Sequence, residues 1–234
     1  MQKNLISLFA LLCTTVFLSS GALAEKKLKD GVFQAYWKAE WNESATVNTP
    51  QLKFRYLPIK DSLKENKVIN IIMAGSEEEK IEFIKNNFHN IPANFLKYKE
   101  WYVNQKGDLT VKEIEKHMEC NTDNYTAAFV SFFPDSPPVT IDANTFKDTG
   151  CNDGGSFPYL TSYVLKPSSK TGQLRQEPGD SAKVIHTFTQ DDSIAKIKTI
   201  DEKWMYVSLY DYTKPDLLSD KKGYIKFSDV TPLN

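Results

Sequence analysis

The chain has 234 residues, with 29 Lys+Arg against 30 Asp+Glu and a formal net charge of −1. A near-neutral chain has no field with which to gather phosphates, so nucleic acid is set aside as a main partner. Hydrophobic residues at 41% and aromatics at 12% suffice for a core and exclude a disordered tail. At ~100–200 residues per domain, the length suits one large domain or two small ones.

Residues 1–24 read as an export signal. Lys3 supplies a positive start, residues 5–18 form an apolar run broken by Ser7, Thr14 and Thr15, and Ala22-Leu23-Ala24 offers a cleavage site before Glu25. The run falls short of the about 20 apolar residues that span a bilayer, so no membrane span is expected after cleavage. Cys13 follows the bulky Leu12, where a lipidation signal wants a small residue, and a lipoprotein is rejected. Cleavage leaves Cys120 and Cys151, which in an exported chain read as one disulfide. Closing a loop of about 30 residues contributes roughly 3–4 kcal/mol in the chain-entropy picture. His117 lies three residues before Cys120, but no further ligand is spaced for zinc. Neither a metal nor a cofactor is expected.

Residues 25–60 are rich in aromatics, and Leu52-Lys53-Phe54-Arg55-Tyr56-Leu57 alternates as a half-buried strand does before Pro58. The nearly continuous apolar run 68–73 reads as a fully buried strand. Ser76 is then an N-cap, with Glu77, Glu78 and Glu79 in a first turn whose dipole favours anions. Ile81, Phe83, Ile84 and Phe88 supply the apolar stripe of the helix. Residues 93–101 predict a second short helix. Residues 110–120 predict a third, with Val111, Ile114 and Met118 on one face. Residues 125–133 read as another buried strand, closed by Pro134. Strands interleaved with helices predict an α/β or α+β domain over residues 25–160. From about residue 171 the pattern changes to short strands at 184–188, 194–200, 204–209 and 223–227, the signature of a small barrel.

The residues of this last region resemble a known family. Leu174-Arg175-Gln176-Glu177-Pro178, then Ala182-Lys183-Val184-Ile185, resemble the opening of bacterial SH3 (SH3b) domains. Lys203-Trp204-Met205-Tyr206-Val207, Gly223-Tyr224-Ile225 and Val230-Thr231-Pro232-Leu233 look like that family's later strands, in order. The sequence departs from the pattern at Glu177, at Tyr224 and in an insertion over 210–222. The resemblance implies a small SH3-like β-barrel over 171–234, and hence an α+β protein overall. It also implies binding, without catalysis, to cell-wall peptide or an extended protein segment. Tyr206, Tyr210, Tyr212 and Tyr224 are the candidate wall of a shallow groove, a shape that suits aromatic stacking. The alternative for these rings is packing of the hairpin onto its neighbours.

No motif for nucleophilic, metal-dependent or nucleotide chemistry is present. His89 and His186 lack a nucleophile in a suitable context. Residues 102–113 carry the glycine and glutamate of a calcium loop, but Tyr102 and Lys106 stand where oxygen ligands belong. Asn42 and Asn124 fit glycosylation sequons in form and are discounted for a bacterial chain. The expectation is a non-catalytic, periplasmic or secreted binding protein with a wall-peptide or protein partner, an inhibitor or immunity protein being one specific form. A wall hydrolase using carboxylates such as Glu113 and Asp142 is the rival, and a structural envelope component the third.

Overall fold

A computed structural model describes residues 24–41, 48–58, 68–119, 122–135 and 157–233. Among them are twelve strands and two short helices. β1 (Lys26–Trp41), β2 (Asn48–Pro58), β3 (Ile69–Ile72), α1 (Glu77–Asn87), α2 (Ala93–Lys97), β4 (Tyr102–Glu119) and β5 (Thr122–Pro134) form the first half. β6 (Thr161–Leu165), β7 (Thr171–Arg175), β8 (Val184–Thr189), β9 (Ser193–Thr199), β10 (Trp204–Tyr210), β11 (Leu218–Lys226) and β12 (Val230–Pro232) form the second.

The first half is a closed barrel in the order β1-β2-β3-β5-β4. Only β3 and β5 run parallel, and both helices lie between β3 and β4 in sequence. Alternation drives this geometry, since Phe33, Ala35 and Trp37 of β1 meet Leu52, Phe54 and Tyr56 of β2 inside. Phe33 lies at the centre, its ring centroid 5.1–6.3 Å from those of Phe54, Phe83, Phe88, Phe129 and Phe132. Glycine permits the close approach that so narrow a barrel needs. Gly31 and Gly107 are opposite each other on β1 and β4, and a β-carbon would collide with Tyr56 at the first and with Phe132 and Phe133 at the second.

The helix start at Ser76 is a full capping box. The Ser76 hydroxyl accepts from Glu79 N at 3.2 Å, and the Glu79 carboxylate accepts from Ser76 N at 2.7 Å. α1 lays Ile81, Phe83 and Ile84 against the barrel core.

The second half is one seven-stranded sheet in the order β12-β6-β9-β10-β11-β7-β8. All its pairings are antiparallel. Every strand contributes to a single apolar cluster, from Tyr163 and Leu165 through Leu174, Phe188, Ile194, Met205, Val207, Leu209 and Ile225 to Val230, so the sheet curls around its own core. Its edges, β8 and β12, do not meet.

The expected fold class is therefore overturned. The chain is mainly β, with two β units, and is not an α/β or α+β domain followed by a small SH3-like barrel. The closed barrel is the first unit, and the second is an open sheet. The main cause is residues 110–120, where a helix was predicted and β4 runs instead. The buried residues Val103, Gln105, Gly107, Leu109 and Val111 alternate along β4, while Met118 is 75% exposed and has nothing to pack on as a helical stripe. Pairing with the β-rich β5 outweighs the helix preference of Glu, Lys and Met. The strands at 68–73 and 125–133 also differ from fully buried ones. Ile69 and Ile71 point inward while Asn70 and Ile72 are exposed, and Phe133 is exposed beside buried Phe132.

Two features join the halves. Glu100, following α2, is buried and its carboxylate is fully engaged. It accepts from Asn94 Nδ2 at 2.7 Å, Thr199 N at 2.6 Å and Thr199 Oγ1 at 2.7 Å, and pairs with Lys196 Nζ at 3.0 Å. Beside it, Phe157 and Tyr159 cover the outer face of β1 and β4 with Tyr36, Trp101, Tyr102 and Leu217. Arg55 is buried under this cover, donating from Nε to Gln34 at 2.7 Å and lying 5.2 Å from the Tyr36 ring centre.

The export signal (save Ala24), the Cys120–Cys151 bridge, Asn42 and Asp142 lie outside the described residues. Among the described residues, no helix is long and apolar enough to cross a membrane.

Candidate binding face

Strand register decides what the four sequence-predicted tyrosines can do. Along β10, Met205, Val207 and Leu209 enter the core while Tyr206, Ser208 and Tyr210 face the other way, with irregular pairing between Tyr206 and Val207 towards β9 and between Ser208 and Tyr210 towards β11. Tyr206 stands directly opposite Tyr224 on β11, with ring centroids 4.9 Å apart at 49°. The two rings are half-buried, on the face of the sheet turned away from its core.

Tyr210 and Tyr212 form a separate pair, stacked at 5.8 Å and 17°. The Tyr210 hydroxyl shares a 2.8 Å hydrogen bond with Ser162 on β6. To reach it, the ring crosses over Ala195 of the intervening β9, and Ala195 is fully buried. Burial pushes the Tyr210 hydroxyl above its ordinary pKa, with the Ser162 bond acting the other way. Tyr212 is 80% exposed, held by the loop in which Asp211 accepts from Thr213 N at 3.0 Å. Tyr210 thus spans the sheet, and Tyr212 stands on it facing solvent.

Cations that sequence reasoning did not connect to the tyrosines surround the first pair. Lys198 is opposite Tyr206 on β9, its ammonium 5.8 Å from the ring centre. Arg175 is opposite Tyr224 on β7. Its guanidinium is steadied by bonds to Ala182 O at 2.7 Å and Gln173 Oε1 at 3.0 Å. One step along the strands, Lys226 lies 5.5 Å from the Trp204 ring centre and pairs with Asp180. That hydrogen bond holds the Asp180 carboxyl below its usual range. Alternation within β7 and β9 was readable in the sequence. The register of four strands across loops of unequal length was not.

A concavity lies on the barrel, where β2 runs past the end of β3. Its volume is about 440 Å³, and among the described residues Lys38, Lys53 and Lys80 line it with Ile72 and Met73.

The remaining candidates for chemistry are occupied or exposed. His89 is held by Gln105, whose Oε1 accepts from His89 N at 3.1 Å and lies 2.8 Å from Nδ1. His117 is exposed on β4, 3.1 Å from Thr126 Oγ1. Glu113 is exposed beside Lys112, in a β4 irregularity with φ of 55°. The calcium-loop residues 102–113 form part of β4 and make no loop. Among the described residues, no group of three or more His, Cys, Asp or Glu could hold a metal ion. Comparison with protein-family models, curated proteins and solved structures finds no match to this chain.

Proposed function

We propose that this chain is a non-catalytic binding protein of the bacterial envelope, exported to the periplasm or secreted, that recognises cell-wall peptide or an extended protein segment. An inhibitor or immunity protein against an envelope-attacking enzyme is one form of this reading. The observation that carries it is the Tyr206–Tyr224 pair, two aromatic rings on one side of a sheet whose core is already filled from the other side. Half-buried aromatic rings with flanking cations suit a shallow, extended ligand, because stacking and hydrogen bonding need no deep pocket. Tyr212 extends the aromatic surface along the same sheet.

The test is co-sedimentation with purified sacculi, run beside capture from periplasmic extract, using the protein and its Tyr206→Ala/Tyr224→Ala double variant. Retention by wild type in either assay, lost in a double variant that keeps its circular dichroism spectrum, is the expected result. Sacculus retention alone favours the wall form, and capture of an envelope-attacking enzyme favours the inhibitor form. Equal retention of the double variant would contradict the proposal, as would sacculus hydrolysis abolished by replacing a single carboxylate.

A further inference from the structure

The register that pairs the two tyrosines also fixes what flanks them. Lys198, Tyr206, Tyr224 and Arg175 are Cα partners in succession across β9, β10, β11 and β7. Directly opposed residues in antiparallel strands point to the same face, so the four side chains form one line across the sheet. The line starts and ends on a cation and has two aromatic rings between; the Asp180 carboxylate, within reach of the Arg175 charge, is paired with Lys226. Lys198 is exposed, and Arg175 is held in place by Ala182 O and Gln173.

Three inter-strand steps of 4.7–4.9 Å separate Lys198 from Arg175, about 14 Å in all. An extended chain rises about 3.3 Å per residue, so four residues cover this distance, and residues i and i+4 of such a chain face the same side. We infer that the face binds an acidic protein segment lying across the strands in extended form, with carboxylates four residues apart on Lys198 and Arg175. Small apolar residues or proline between them rest on Tyr206 and Tyr224. Arg175 receives one carboxylate with planar geometry, and Lys198 receives the other as a point charge. This inference rests on the proposed binding role of the tyrosines and names the chemistry of their partner.

The experiment is an NMR titration of the ¹⁵N-labelled protein with three capped eight-residue peptides. The first has glutamates at its second and sixth positions with alanine and proline between, the second replaces both with glutamine, and the third with lysine. The expected result is a saturable response to the glutamate peptide at Lys198, Tyr206, Tyr224 and Arg175, at least tenfold weaker for the glutamine peptide. Lys198→Glu, an exposed substitution, should weaken the glutamate peptide several-fold and bring its affinity towards that of the lysine peptide. Equal binding of all three peptides at the tyrosines would overturn the acidic specificity and leave the binding face standing. Absence of any response at the tyrosines up to 10 mM peptide would overturn the inference; the sacculus and extract assays then decide separately whether the face binds anything.

Discussion

The two halves of this protein spend their aromatic residues in opposite places. In the closed barrel they fill the interior, where Phe33 alone has five phenylalanine rings around it. In the open sheet the core is largely aliphatic, built on Leu174, Ile194, Met205, Val207 and Ile225, while Tyr206, Tyr212 and Tyr224 stand outside. A five-stranded barrel closes on itself and leaves no sheet edge, and the aromatic outer face of β1 and β4 is covered by Phe157 and Tyr159. A curled sheet packs one side and has the other available for ligands. Under the proposed function, structural work falls to the first half and recognition to the second.

The largest expected effect breaks the barrel. Phe33→Ala removes the central ring of its core and should cost about 3–5 kcal/mol, measured by denaturant unfolding. Next comes the junction. Glu100→Ala leaves the largely buried Lys196 ammonium and the Thr199 donors without their acceptor, at a cost of about 3 kcal/mol. Because Glu100 couples the halves, calorimetry should show the wild-type transition separating into two in this variant. One undivided transition would mean that the Phe157–Tyr159 cover, and not Glu100, carries the coupling.

Alkaline pH sharpens the comparison through the buried tyrosines. Burial, helped by the nearby Glu100 charge, pushes the Tyr163 hydroxyl up to about 12. Burial also raises Tyr36, Tyr102 and Tyr159. The unfolded chain ionises these groups near their ordinary pKa of about 10, whereas the folded chain holds them neutral. Their contribution to stability is therefore fully present below about pH 10 and falls as pH rises from there towards 12. Absorbance titration near 295 nm should show one set of tyrosines ionising early and a buried set ionising only with unfolding. The smallest effect is at the helix start. Ser76→Ala removes the capping hydroxyl and should cost about 1 kcal/mol, with no effect on binding.

What the sequence disclosed follows from how local each signal is. The Ser76 cap, the stripe of α1 and the strands β8, β9 and β10 were readable, because each is written within a few adjacent residues, whereas β6 and the first part of β11 were not read as strands. β4 was not. Its lower part alternates as a strand, but Glu113–Met118 carries helix-forming residues, and only the β5 partner decides between the two. The closure of the barrel was illegible for the same reason, since it depends on β1 meeting β4 some seventy residues away. In the candidate site, the tyrosines were marked by a resemblance and by residue type. The cations beside them were not, because Lys198, Tyr206, Tyr224 and Arg175 come together only through register. Nothing local in Lys97-Tyr98-Lys99-Glu100-Trp101 marks Glu100, because its partners Lys196 and Thr199 come to it only from β9.

The division between structural barrel and binding sheet is tested most directly by hydrogen exchange, read by mass spectrometry with and without solubilised sacculus fragments or the captured partner. The account predicts protection over residues 196–210 and 218–226, with exchange at 51–54 and 69–73 unchanged. Protection confined to the barrel concavity at Lys38, Lys53 and Lys80, with the tyrosine strands unaffected, would contradict it.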